Sequence, residues 1–150
     1  MRVEKRISVE APPSAVWNVI SELRDYPRFM AGITRWDAEG GKQSGLGARY
    51  RIRMRVGSAE IGGLIEVVEV DEACELAWTG VTGIDQRGRW RLRERDDGRT
   101  DVTLRLGYHT EGGVLGAIAE RFAAPIVGGN LRRSLERLKQ QVENRERGFT

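Results

Sequence analysis

Residues 7–33, ISVEAPPSAVWNVISELRDYPRFMAGI, restrict the fold more than any other stretch of this chain. Pro12 and Pro13 cannot donate to a sheet ladder, so a strand beginning near the N-terminus stops there, and both prolines suit the first turn of a helix. Val16, Val19, Ile20 and Leu23 then recur at helical spacing and form one apolar stripe. Pro27 disfavours helix at Tyr26 and ends the element. A second short helical turn carries Phe29, Met30 and Ile33, with Phe29 and Met30 placed to act as a lid over whatever lies beneath.

From Ile33 to His109 the chain is almost entirely strand. Residues 2–10 read as a first strand and 33–39 as a short one, and GGKQSGLG at 40–47 is a turn cluster. Tyr50, Ile52, Met54 and Val56 then alternate with Arg49, Arg51, Arg53 and Arg55. Such period-2 alternation predicts a strand with one buried and one wet face. Residues 59–70 form a further strand, in which Gly62-Gly63 predicts a bulge or bend. Strands are expected at 74–80, with Leu76 and Trp78 on one face, and at 86–95, where Gly88, Trp90 and Leu92 alternate with arginines. Asp97-Gly98 marks a tight hairpin. The partner strand at 100–109 turns Val102, Leu104, Leu106 and Tyr108 inward.

After Gly112-Gly113 the period becomes helical. Leu115, Ile118, Ala119, Phe122, Ala123 and Ile126 make one apolar face, and Leu131, Leu135, Leu138 and Val142 continue it. Pro125 and Gly128-Gly129 predict an interruption and a kink. Consecutive strands joined by short turns give an antiparallel meander. The expected order is strand, helix, short helix, six strands and a long helix, in one domain of 150 residues.

Taken together, the APPSAVW opening of the first helix, the DYPRF turn, SGLGARYR before the alternating strand, GRWRL, and the terminal LRRSLERLK resemble the START-like (SRPBCC, helix-grip) superfamily. In particular the chain resembles its bacterial polyketide cyclase/dehydrase branch, and the likeness extends over essentially the whole length. The resemblance implies an α+β helix-grip fold: a curved antiparallel sheet of about seven strands around a long C-terminal helix, with two short helices after the first strand. It further implies a cavity between sheet and helix. On that basis the expected ligand-binding residues are Phe29, Met30, Tyr50, Ile52, Met54, Trp78, Trp90, Leu106, Tyr108, Phe122 and Ile126, with Leu92 on the same inward phase. Trp36 has an ambiguous phase.

The expected function is binding or transport of a hydrophobic small molecule, a lipid, polyketide or similar compound. The alternatives are a polyketide cyclase/dehydrase acting on a bound poly-carbonyl chain, with Tyr50 and Tyr108 orienting it, and a module docking on RNA, ribosomes or membrane through the arginine-rich face. Catalysis has no evident constellation. His109 is the single histidine and falls on the outward phase, and Cys74, read as a small buried strand residue, lies too far from it for a thiolate–imidazole pair. No metal or cofactor is expected, since one cysteine and one histidine do not make a zinc site and no phosphate-binding glycine loop is present.

A net charge of +3 falls short of the basic footprint of a nucleic-acid binder, and no aromatic residues interleave on the arginine face. Glu60, Glu66, Glu69 and Glu75 are placed to offset those arginines across strands. With 39% hydrophobic and 31% charged residues, no apolar run of membrane-spanning length and no secretory leader, the chain reads as a cytoplasmic protein, monomeric or a homodimer, with peripheral membrane contact left open.

Overall fold

The computed structural model describes residues 1–109 and 113–148, and over 113–120 the backbone alone. Strand β1 (Arg2–Val9) leads into helix α1 (Pro13–Ile20), whose start at the proline pair reflects their missing N–H groups. A 3-10 helix (Leu23–Arg28) contains Pro27, and the strands come next in sequence: β2 (Ile33–Glu39), β3 (Arg49–Val56), β4 (Ala59–Asp71), β5 (Glu75–Gly83), β6 (Asp85–Glu94) and β7 (Thr100–His109). Helix α2 spans Gly113–Glu146. The seven strands form one antiparallel sheet in the order β1-β7-β6-β5-β4-β3-β2. The meander thus closes by bringing β1 back beside β7.

Alternation decides which side chains face α2. In β3, Tyr50 and Ile52 are buried, while Arg49 and Arg53 stand exposed. The outer face is held by ion pairs: Arg49 meets Glu66 at 2.6 Å, Arg51 meets Glu39 at 2.9 Å, and Arg89 bridges Glu69 at 2.7 Å and Glu75 at 2.8 Å. The Arg89 guanidinium holds the Glu69 carboxyl below its ordinary range. These pairs occupy much of the positive charge that the sequence displays as a ladder, and each exposed pair contributes little to stability.

Gly62 and Gly63 sit where three strands crowd together. A Cβ on Gly62 would lie 2.0 Å from the Ile52 carbonyl oxygen, and one on Gly63 2.0 Å from that of Thr82. The β4–β5 register slips just beyond them, between Leu64 and Ile65. The glycine pair is therefore the bend expected from the sequence, and it gives the sheet room to curve.

The C-terminal half of α2 lies on the concave face through buried Leu131, Leu135, Leu138 and Val142. Polar ties fix it as well. Ala31 N–H donates to Ser134 Oγ at 2.8 Å, Glu10 N–H donates to Glu143 Oε2 at 2.8 Å, and Lys139 Nζ donates to the Ser8 carbonyl at 3.0 Å. The predicted interruption at Pro125–Gly129 does not occur: the helix is continuous through all five residues. Pro125 and Arg121 are exposed, so the Arg121 carbonyl left without its amide partner can be hydrated. The expectations for Leu115, Ile118 and Ala119 lie outside the described side chains. Cys74 is also displaced from its expected place. It is exposed, in the turn between β4 and β5, where its N–H donates to the Asp71 carbonyl at 2.9 Å and Ala73 adopts a φ of 61°.

Candidate ligand cavity

The 3-10 helix and β2 bring an aromatic column to one end of the sheet. Trp36 stacks between Tyr26 and Tyr50, with ring centroids 5.2 Å apart on each side, and Phe29 and Trp90 pack against Tyr26 at 5.1 and 6.3 Å. Both phenols and the Trp36 indole are spent on backbone carbonyls, while the buried Trp90 Nε1 has no hydrogen-bond partner among the described residues. Tyr26 Oη donates to Ile20 at 2.6 Å, Trp36 Nε1 to Leu23 at 2.7 Å, and Tyr50 Oη to Gln43 at 2.6 Å. Burial pushes both phenols above their ordinary pKa; for Tyr50, Arg24 partly opposes that rise. The Trp90 indole N–H also pulls against the rise at Tyr26, although it falls outside hydrogen-bond geometry with the phenol. Both phenols are therefore neutral at physiological pH and act as donors.

Beside this column an apolar cavity of about 40 Å³ lies between the concave sheet and α2. Of the residues expected to meet a ligand, Met30, Ile52, Met54, Trp78, Leu106 and Tyr108 line it. Phe29, Tyr50 and Trp90 do not. They are at most 1% exposed and are consumed by packing, Phe29 as a plug within the core and not as a lid. Leu92 is likewise buried off the wall. Phe122 and Ile126 are not inside either. They are 76% and 41% exposed and form the lip of a shallower apolar depression of about 410 Å³, together with Val56, Gly57 and Ala123. Ile61, Ile84 and Tyr108 border both spaces and form the partition between cavity and mouth.

Several wall residues escaped the sequence reading. Trp36 resolves inward, and Ile61 and Ile65 share the phase of Gly63 across from Ile52. Gln86 stands two residues before Gly88 and four before Trp90, so the same alternation that placed Trp90 inward also places Gln86 there. Ile84 falls between strands and carried no periodic signal. His109 is exposed at the end of β7, as its phase predicts. Among the described residues no group of His, Cys, Asp or Glu is arranged to hold a metal, and no helix is long and apolar enough to cross a membrane.

The family described as "Polyketide cyclase / dehydrase and lipid transport" matches residues 1–143. The chain belongs to that family. Solved structures with the same fold include TTHA0849 from Thermus thermophilus, with a TM-score of 0.81, 18% identity, and coverage of 95% of this chain and 97% of that one. The Zhui aromatase/cyclase from Streptomyces sp. R1128 has a TM-score of 0.81 at 19% identity, covering 97% and 94%. A START superfamily protein from Mycobacterium smegmatis has 0.73 at 16% identity, covering 95% and 97%. At these identities the likeness establishes the helix-grip fold alone. Among curated proteins no sequence matches the chain. Within the polyketide cyclase/dehydrase and lipid-transport family, the placement of α2 over a concave sheet makes the space between them the first place to seek function.

Proposed function

We propose that this protein binds or carries a hydrophobic small molecule, a lipid, a polyketide or a compound of similar character, in the space beneath α2. One observation carries the reading: the exposed apolar mouth at Phe122 and Ile126 adjoins the apolar cavity, and among the described residues Ile61, Ile84 and Tyr108 border both. The mouth, at about 410 Å³, is within the size of small-molecule sites. The interior, at about 40 Å³, has room for no more than a few waters. A ligand of lipid or polyketide size therefore enters by displacing the partition side chains, and the mouth and cavity merge around it.

Binding is favoured over cyclisation by the state of the Tyr26 and Tyr50 phenols. A cyclase working on a poly-carbonyl chain needs an acid or base facing it. Tyr26 and Tyr50 give their hydroxyls to backbone carbonyls, and their raised pKa values keep them protonated. The outer arginine face gives less support to docking on RNA or membrane, because Arg49, Arg51, Arg89 and Arg91 are each engaged by a carboxylate.

Native mass spectrometry of gently purified protein tests the proposal. We expect a discrete co-purifying hydrophobic species on the wild type, absent from a folded Ile84→Trp variant in which the partition is filled. A wild type that is consistently ligand-free, or an adduct retained equally by Ile84→Trp, contradicts it.

A further inference from the structure

The cavity wall is apolar except along one row of the sheet. Gln86 is 8% exposed, and among the described residues none hydrogen-bonds its side-chain amide. Trp78 is 7% exposed, and its buried Nε1–H has no acceptor among the described residues. Both residues line the cavity. They are diagonal neighbours on one face, since Trp78 pairs with Gly88 and Gln86 lies two residues earlier on β6. Tyr108 faces Gln86 across the strands and carries the row to the partition. In the aromatic column every phenol and the Trp36 indole has a carbonyl partner; the Trp90 indole is unpaired among the described residues as that of Trp78 is, but Trp78 alone of the two lines the cavity. Buried polar groups are rarely left unpaired without a reason in the protein's function.

We propose that Trp78 and Gln86 determine ligand specificity by donating hydrogen bonds to a neutral oxygen on the bound molecule. The inference rests on the cavity being the ligand site, as proposed above. It names a class: lipophiles bearing a carbonyl or ether oxygen, in preference to plain hydrocarbons and to carboxylates. An indole N–H is a donor only, and the Gln86 amide brings two donors against its one acceptor oxygen, so donors outnumber acceptors at the Trp78–Gln86 pair and a ligand oxygen would redress the balance. A carboxylate is disfavoured because, among the described residues, no cation faces the cavity to offset its desolvation. Arg53 borders the space, but its guanidinium points outward, 56% exposed, with Glu60 at 3.7 Å.

The test is competitive displacement of the fluorophore N-phenyl-1-naphthylamine by three compounds of similar shape: benzophenone, diphenylmethane and diphenylacetate. On the wild type, benzophenone should displace at about tenfold lower concentration than diphenylmethane, with diphenylacetate the weakest. In Gln86→Leu and in Trp78→Phe, each checked for folding by circular dichroism, the benzophenone advantage should shrink to about twofold or less while diphenylmethane is unchanged. A wild type with no preference for the ketone, a preference for diphenylacetate, or an advantage retained in both variants overturns the specificity assignment alone. Failure of the fluorophore to bind saturably overturns the cavity reading and this inference with it.

Discussion

The indole of Trp78 occupies the space that any side chain on Gly88 would need. A Cβ built on Gly88 lies 2.0 Å from Trp78 Cζ2 and 2.1 Å from Cε2. The two residues are cross-strand partners in β5 and β6, so the glycine of the GRWRL segment is the slot in which the cavity's tryptophan rests. This joins a sequence choice to the shape of the site. The missing side chain at 88 lets Trp78 lie low on the sheet, and the low ring leaves space above it.

Gly88→Ala should therefore push the indole up into the cavity. Over-packing of this kind typically costs about 1–3 kcal/mol. We expect a lower melting temperature, an altered near-ultraviolet circular dichroism spectrum and loss of N-phenyl-1-naphthylamine binding. An alanine variant with unchanged tryptophan signals and unchanged binding would show that the slot is not used.

The polar tie between Glu143 on α2 and the end of β1 gives a pH-dependent prediction. Burial pushes the Glu143 carboxyl up, but the Glu10 N–H and the Lys139 ammonium outweigh it and hold the pKa below its usual value of about 4.5. A carboxyl depressed in the folded state contributes stability that is fully present above its unfolded pKa and is lost as pH falls through the folded one. Glu143→Gln should destabilise at neutral pH by about 1–2 kcal/mol, and the gap to wild type should close in acid, below about pH 4.5. Thermal melts of both proteins from pH 7 downward provide the measurement. A gap that is constant with pH would assign the role to packing alone.

The fold was legible because its devices are local. The proline pair at 12–13, the arginine alternation in β3 and β6, Asp97-Gly98 and the Leu131–Leu135–Leu138–Val142 stripe each act through backbone constraint or periodicity, and each element appears where those rules place it. The cavity was only half legible. Strand phase tells which side chains face inward but not which of them touch one another, and Phe29, Tyr50 and Trp90 face inward only to be used up in packing. Continuity of α2 through Pro125 goes with the exposure of Arg121 and Pro125, a tertiary fact. Gln86 shows the opposite case. Its inward phase was readable, yet a polar residue attracts no attention until the structure shows that, among the described residues, none hydrogen-bonds its amide.

The central claim is that a hydrophobic ligand occupies the space bordered by Ile61 and Ile84. Titrating N-phenyl-1-naphthylamine into protein carrying labelled isoleucine δ1-methyl groups and recording carbon–proton correlation spectra tests it most directly. Saturable shifts are expected at Ile52, Ile61, Ile65 and Ile84, which line the cavity, with Ile20, buried at the end of α1, left in place. Shifts absent from Ile61 and Ile84 at saturation would contradict it.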